Sequence, residues 1–220
     1  MPDLNTTLHL EMLRRFKRQN RLPARLFQAI KRELFSKEIY GMKWGDPDKV
    51  APLKFIRDRY VLPYVDPTHN AIEIGPGGGR WTRYMTGFKK LYVVDYYSEL
   101  LNELKKNVHN SNVVCVKNNG IDFPNIAADS IDFLFSFGTF VHLDNHLIVA
   151  YLENMRTVLK PGANVVIQYS DKTKIMGQIM EDFSENTPHA MRQMVSDAGY
   201  TILEEDLTTL WHSSVIRFTR

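Results

Sequence analysis

Residues 71–82 read AIEIGPGGGRWT, an apolar run that leads directly into four glycines. Glycine lets the backbone turn sharply, and it lets a ligand approach the main chain without meeting a Cβ atom. The apolar run is typical of a buried strand, and we expect a helix over residues 79–88 beyond the glycines. Free N–H groups at the start of such a helix would face a bound ligand. The stretch therefore predicts a strand, a ligand-binding loop and a helix.

A carboxylate ends the next apolar run, which reads LYVVD over residues 91–95. Parallel strands bring their carboxyl ends to the same edge of a sheet, so we expect Asp95 to lie beside the glycine loop. An acid at this place accepts hydrogen bonds from both ribose hydroxyls of an adenosine. The two features together predict a cofactor that contains a nucleoside.

The glycine spacing decides which cofactor is expected. The dinucleotide fingerprint needs glycine at the sixth position from Gly75, where this chain has Arg80, which disfavours a nicotinamide-dependent oxidoreductase. Glycines at 75, 77 and 79, preceded by Glu73, instead resemble motif I of the class I S-adenosylmethionine-dependent methyltransferases, in the branch that acts on small molecules. In that family the loop wraps the amino-acid end of the cofactor. The resemblance implies S-adenosyl-L-methionine as the cofactor.

Short apolar runs rich in Ile, Val, Tyr and Phe alternate with helical patterns after residue 69. Five of these runs predict parallel strands, at 70–75, 91–95, 113–117, 131–136 and 163–169. Helices are predicted at 79–88, 98–108, 144–158 and 188–198. A short turn joins the final two runs, 200–206 and 209–219, which favours an antiparallel pair. The pattern predicts an α/β fold, a Rossmann-like, mostly parallel seven-stranded sheet with a C-terminal antiparallel strand pair and helices on both faces.

The N-terminal part predicts a helical extension or lid over residues 1–48, with the methyltransferase domain over 49–220. Amphipathic patterns indicate helices over 4–20 and 24–35, and a third helix from Lys49 to about Tyr60. Residues 1–37 hold nine Lys and Arg against three Asp and Glu, a net of +6. This charge fits either a solvated helix surface or an anionic partner.

Composition limits the class of protein. Of the 220 residues, 44% are hydrophobic and 24% charged, which is ordinary for a globular protein with one core and an extension. Cys115 is the one cysteine, so no intrachain disulfide is expected. The charged first twenty residues argue against a signal peptide, and the absence of a long apolar run against a membrane span. We expect a cytoplasmic protein, and the sequence is compatible with a homo-oligomer.

The resemblance covers about residues 50–220. After the third predicted strand the chain has Asn118, Asn119 and Gly120 where many members have an aspartate. The segment VLKPGA over 158–163 resembles the family's turn before the fifth strand. The cofactor contacts that the resemblance implies are Glu73, Gly75, Gly77, Gly79, Asp95, Tyr96, Asn119, Gly120, the backbone N–H of Ile121, Ser136 and Phe137.

The acceptor is expected at the carboxyl ends of the fourth and fifth strands. His142, in the segment FVH, is the candidate general base, because histidine titrates near neutral pH. The alternative is that His142 only begins the following helix, with Asp144 as its N-cap. The candidate acceptor contacts are Tyr40, Trp44, Tyr169 and Asp171. No metal is predicted, because Lys172 beside Asp171 disfavours magnesium.

The sequence favours methylation of a small molecule or glycan, with O-methylation preferred because His142 would be useful for a hydroxyl. N-methylation of a small amine stays open. A nucleic-acid or protein methyltransferase is a further alternative, although SFGT at 136–139 replaces the Asn/Asp-Pro-Pro-aromatic motif of base methyltransferases. A nonenzymatic protein that binds an S-adenosyl ligand is the last alternative, because a glycine loop indicates binding and not turnover.

Overall fold

The computed structural model of the protein describes residues 39–220. The predicted helices over 4–20 and 24–35 and the basic residues 1–37 lie outside the described residues. The chain divides into two units between Tyr40 and Gly41. The segment 41–48, which the sequence assigned to the extension, is therefore in the same unit as the sheet.

Seven strands form one sheet in the order β3-β2-β1-β4-β5-β7-β6. The strands are β1 (Asn70–Ile74), β2 (Lys90–Asp95), β3 (Val113–Lys117), β4 (Ile131–Ser136), β5 (Leu159–Ser170), β6 (Thr201–Asp206) and β7 (Ser213–Thr219). Strands β1 to β5 pair in parallel, whereas β7 runs antiparallel to both β5 and β6. The predicted mostly parallel sheet with its C-terminal antiparallel pair is confirmed.

Five α-helices lie in the described part of the chain: α1 (Ala51–Tyr60), α2 (Ser98–Asn107), α3 (Asn145–Val158), α4 (Ile175–Ile179) and α5 (Pro188–Asp197). Helix α2 buries Leu100, Leu101 and Leu104, as its apolar spacing predicts. The side chain of Thr187 accepts a hydrogen bond from the N–H of Ala190 and caps α5, whose first residue is a proline.

The predicted helix over 79–88 is wrong. Only a 3₁₀ turn, Thr82–Tyr84, forms there. Preceding glycines disfavour a helix, and the irregular path buries the three large apolar side chains of this segment in the core: Trp81, Met85 and Phe88. The side-chain amide of Asn112 donates to the carbonyls of Thr86 and Phe88, which would otherwise lack helical partners.

Strand β5 begins earlier than the sequence predicted. It starts at Leu159, directly after α3, so the KPG segment lies inside the strand and does not precede it. The β4–β5 register shifts between Ile131 and Phe133, and Gly162 has φ +82°. A proline and a positive-φ glycine fit a strand only at such an irregularity. The prediction of a separate turn here is therefore wrong.

Candidate cofactor and acceptor site

The loop that follows β1 packs directly against the loop that follows β4. Ser136 Oγ donates to the carbonyl of Ile74 across 3.0 Å, and Thr139 Oγ1 donates to the same oxygen across 3.4 Å. A Cβ atom on Gly75 would lie 1.8 Å from Thr139 Oγ1, and Gly75 has φ +70°. Both facts require glycine at 75. The predicted contacts Gly75 and Ser136 are thus neighbours.

Glu73 lies beneath the glycine loop and is almost fully buried. Its Oε2 accepts a hydrogen bond from Thr82 Oγ1 across 2.5 Å. Burial raises the pKa of Glu73 to about 8, against an opposing effect of Thr82 and Arg80. The side chain is therefore mostly neutral at pH 7.

Asp95 closes β2 beside the glycine loop, as predicted. Its Oδ1 accepts the backbone N–H of Tyr97 across 2.8 Å, and its own carbonyl accepts the N–H of Asn118 across 3.0 Å. Burial raises the pKa of Asp95 to about 6, so the carboxylate is charged at neutral pH. The predicted contact Tyr96 packs edge-on against Tyr97, with ring centroids 5.1 Å apart.

The loop after β3 is held by its own asparagines. Asn118 is buried, its Oδ1 accepts the N–H of Gly120 across 3.1 Å, and its amide reaches Tyr151 Oη across 3.0 Å. Asn119 Oδ1 accepts the N–H of Ile121 across 3.0 Å. The backbone donor that we expected to face the adenine therefore has a local partner, because asparagine bonds the main chain two residues on. The sequence analysis missed Asn118 as the residue that shapes this loop.

Phe137 and Gly138 begin the loop after β4. The ring of Phe137 packs against Trp81, with centroids 4.6 Å apart. The N–H of Gly138 donates to Gln168 Oε1 across 2.7 Å, and Gln168 Nε2 donates to Ser213 Oγ across 2.7 Å. Gln168 was missed by the sequence analysis, although a glutamine inside the apolar run NVVIQY was a signal for it.

His142 ends the 3₁₀ turn Phe140–His142 and is exposed. Its Nδ1 lies 2.9 Å from the carbonyl oxygen of Asp182. Its ring packs edge-on against the ring of Phe183. The ring of Phe183 also packs edge-on against His212. Asp144 stands at the N-cap position of α3, as predicted.

Two predicted acceptor residues are buried: the hydroxyl of Tyr169 has no hydrogen-bond partner among the described residues, whereas Asp171 is hydrogen-bonded. Tyr169 is fully buried on β5 opposite Ser214, and burial raises its pKa. Asp171 is 1% exposed: Oδ2 accepts from Ser214 Oγ across 2.6 Å, and Oδ1 accepts from the N–H of Thr173 across 3.0 Å. Contacts of these two side chains with an acceptor stay predictions.

The turn around residues 41–45 borders the glycine loop. A Cβ atom on Gly41 would lie 3.8 Å from Arg80 Nε and 3.8 Å from the ring of Trp44, and Trp44 is 54% exposed. Arg83 Nη2 lies 2.5 Å from Asp46 Oδ1 and so holds the end of the same turn. Tyr40 is a half-buried turn residue. The acceptor contacts predicted for Tyr40 and Trp44 stay predictions.

The described residues suit an S-adenosyl group. Asp95 offers a charged acceptor for ribose, Gly77 and Gly79 have positive φ angles in the loop, and Arg80 is a buried cation beside it. Within residues 39–220 no three His, Cys, Asp or Glu side chains are grouped closely enough to hold a metal ion. No helix in that range is long and apolar enough to cross a membrane.

Comparison with known proteins gives a family model that resembles part of the chain and a set of structures that share its fold. The family described as "Methyltransferase domain" matches residues 72–167. A search of curated proteins gives no match. The chain resembles an S-adenosylmethionine-dependent methyltransferase from Mesorhizobium loti, with TM-score 0.67 and 12% identity over 79% of this chain and 100% of that one.

Two further structures show the same fold. The N-methyltransferase NodS from Bradyrhizobium japonicum WM9, in complex with S-adenosyl-L-homocysteine, has TM-score 0.68 and 14% identity over 88% of this chain and 97% of that one. A third match is to a chain in the complex of the Haloferax volcanii Trm112 methyltransferase activator with a methyltransferase. Its TM-score is 0.61, with 14% identity over 84% of this chain and 99% of that one. The match over residues 72–167 and the seven-stranded sheet show that the chain is similar to S-adenosylmethionine-dependent methyltransferases and shares their fold.

Proposed function

We propose that the protein transfers a methyl group to a hydroxyl group of a small molecule or glycan, with His142 as the general base. S-adenosylmethionine supplies a methyl group that is already activated on a sulfonium. The protein therefore has to align the acceptor and, for a hydroxyl, to remove its proton. In this proposal Asp95 and the glycine loop hold the cofactor against which the acceptor is aligned, and His142 removes the proton of the hydroxyl.

The observation that carries this proposal is the hydrogen bond of His142. A carbonyl oxygen only accepts, so the bond to Asp182 requires the proton of a neutral imidazole to be on Nδ1. Nε2 then carries the free lone pair, which is the state that a general base needs. The exposure of His142 leaves its ring accessible to an acceptor.

A second candidate is N-methylation of a small amine. Two exposed carboxylates, Glu181 and Asp182, lie on the loop that contacts His142, whereas a third, Glu185, forms an ion pair with Lys172. Their negative charge would favour a cationic acceptor. An amine loses its proton more easily than a hydroxyl, so a base at His142 would matter less. A nucleic-acid or protein acceptor, or binding without turnover, has no comparable support among the described residues.

An acceptor screen separates these candidates. The melting temperature would be measured with S-adenosyl-L-homocysteine and a panel of sugars, polyols, phenols and amines, and each stabilising compound would then be assayed for methyl transfer by mass spectrometry. We expect a methylated oxygen in the product. Products methylated only on nitrogen would overturn the O-methylation proposal, and tight ligand binding without any methylated product would favour the nonenzymatic alternative.

A further inference from the structure

An exposed apolar surface, which we call the α4 face, lies on helix α4 and on the turn between β6 and β7. Four of its side chains come from α4 and the residue after it, and the fifth comes from the turn: Ile175, Met176, Ile179, Met180 and Trp211. Ile175 and Trp211 are each 76% exposed, and Ile179 is 61% exposed. Large apolar side chains grouped in water mark a surface that binds a ligand or a partner.

The apolar side chains of α4 point away from the protein because Gly177 holds the opposite side of the helix against it. A Cβ atom on Gly177 would lie 2.1 Å from the carbonyl oxygen of Asp171 and 3.0 Å from that of His212. Positions 175, 176, 179 and 180 follow the spacing of one helix face. Since His212 follows Trp211 in the chain, the same contact brings the turn that carries Trp211 beside α4. The α4 face therefore spans both segments.

The α4 face carries no charge. Its two segments read IMGQIM and LTTLWHS, without Asp, Glu, Lys or Arg. Lys174, directly before the helix, is turned inward, and its Nζ donates to the carbonyls of Leu210 and Ser213 across 2.7 Å each. Burial and the charge of Lys174 lower the pKa of His212, which is therefore neutral at pH 7. A nucleic acid or an anionic lipid headgroup would find no opposite charge on this face.

The turn that follows α4 joins this face to His142. The N–H of Phe183 donates to the carbonyl of Met180 across 3.0 Å, and the ring of Phe183 packs against the ring of His142, with centroids 5.4 Å apart. The carbonyl oxygen of Asp182, inside the same turn, lies 2.9 Å from His142 Nδ1. One turn therefore links the last residue of the α4 face to the side chain proposed as the general base.

We propose that the α4 face binds the apolar part of the methyl acceptor, which makes the acceptor a hydroxyl compound with a hydrocarbon body and not a sugar. The inference deepens the proposed function and rests on it. An uncharged apolar face binds hydrocarbon because both surfaces leave water. A sugar needs hydrogen-bond partners, which isoleucine and methionine side chains do not provide. An acceptor held on α4 extends its hydroxyl over the turn to His142.

Phenols that differ only in the length of their tail test this assignment: 4-methylphenol, 4-butylphenol and 4-hexylphenol, with 4-hydroxyphenyl glucoside as the member with a polar body. Calorimetry would measure their binding to the protein in the presence of S-adenosyl-L-homocysteine. We expect wild type to bind 4-hexylphenol about 10–100-fold more tightly than 4-methylphenol, and the glucoside no more tightly than 4-methylphenol. In a double variant, Ile179→Gln with Trp211→Gln, the gain from methyl to hexyl should fall below about threefold.

Leu203→Gln, at an exposed apolar position on β6, is the matched control and should keep the wild-type gain. Both proteins should melt close to the wild-type temperature, because the replaced side chains are exposed. No gain in wild type, a gain that survives in the double variant, or tightest binding of the glucoside would overturn the proposal. Binding to phosphatidylcholine vesicles, or a dimer in sedimentation velocity, that the double variant abolishes would overturn it in favour of a bilayer or a second copy.

Methyl transfer to the same phenols separates this inference from the proposed function. Phenols that bind with the expected gain but are never methylated on oxygen would overturn the proposed O-methylation and support the apolar site. Phenols methylated with the same kcat/KM whatever their tail would overturn the apolar site and support O-methylation.

Discussion

The backbone N–H of Gly138 donates to the side-chain Oε1 of Gln168 across 2.7 Å. The other end of the same amide donates to Ser213 Oγ, so Gln168 joins the loop after β4 to the first residue of β7. Gly138 has φ +86° and no helix supports it. The conformation of the loop that leads to His142 therefore depends on one buried glutamine in the neighbouring strand.

Replacing Gln168 tests this dependence. Gln168→Met keeps the volume but leaves the Gly138 N–H and the Ser213 hydroxyl without their partner, which should destabilise the fold by about 1–3 kcal/mol. Turnover should fall further than the unfolded fraction explains. Urea denaturation and initial rates would measure the two effects. Gln193→Met, on the exposed side of α5, is the control and should change neither the stability nor the turnover by much. Unchanged stability in Gln168→Met would refute the role of this bond.

Glu73 should make stability depend on pH. Its pKa in the folded protein is about 8 against 4.5 ordinarily, so the folded state holds the proton more tightly than the unfolded state. Wild type should therefore lose stability as the pH rises from about 4.5 through about 8. In the Glu73→Gln variant the side chain has no proton to lose, and its amide oxygen can still accept the bond from Thr82.

The melting temperature of Glu73→Gln should therefore exceed that of wild type by an amount that grows between about pH 5 and about pH 9. A gain of about 1 kcal/mol corresponds to about 2–4 °C in a protein of this size. Glu153→Gln, at an exposed position on α3, is the control and should give a difference that does not vary with pH. If the difference in melting temperature between Glu73→Gln and wild type also stayed constant with pH, Glu73 would be charged in the folded protein.

His142 should affect turnover far more than folding. His142→Ala should lower turnover by about 10²–10⁴-fold, with little change in affinity for S-adenosyl-L-homocysteine. His142→Gln should be nearly as slow, because an amide keeps a similar shape but takes no proton. His109→Gln, an exposed histidine in the loop that enters β3, should have the wild-type rate. A folded His142→Gln enzyme with a near wild-type rate would exclude the general base and favour an amine acceptor.

The sheet could be predicted from the sequence because its signals are local. The apolar runs at 113–117 and 131–136 coincide with β3 and β4, and the Thr187-Pro188 pair begins α5. The helix expected over 79–88 failed because burial of Trp81 outweighed a helical pattern weakened by glycine. That outcome depends on tertiary packing, which no local pattern reports.

The site was predicted less completely than the sheet, for a similar physical reason. Gly75 and Asp95 could be placed because strand ends meet at one edge of a parallel sheet. Gln168 and Asn118 act through bonds to residues that become neighbours only after folding. The sequence analysis used Arg80 only to exclude a dinucleotide, because its burial and its lack of a carboxylate partner among residues 39–220 are features of the fold.

The central claim is that the carboxyl ends of β1 and β2 hold an S-adenosyl group through Asp95. Titration calorimetry of wild type and Asp95→Asn with S-adenosyl-L-homocysteine and with NAD tests it most directly. Asparagine keeps the bond from the Tyr97 N–H but removes the charge that receives the ribose hydroxyls. We predict that wild type binds S-adenosyl-L-homocysteine and not NAD, and that Asp95→Asn weakens the binding of S-adenosyl-L-homocysteine by about 10–100-fold. Binding of NAD without binding of any S-adenosyl ligand would contradict it.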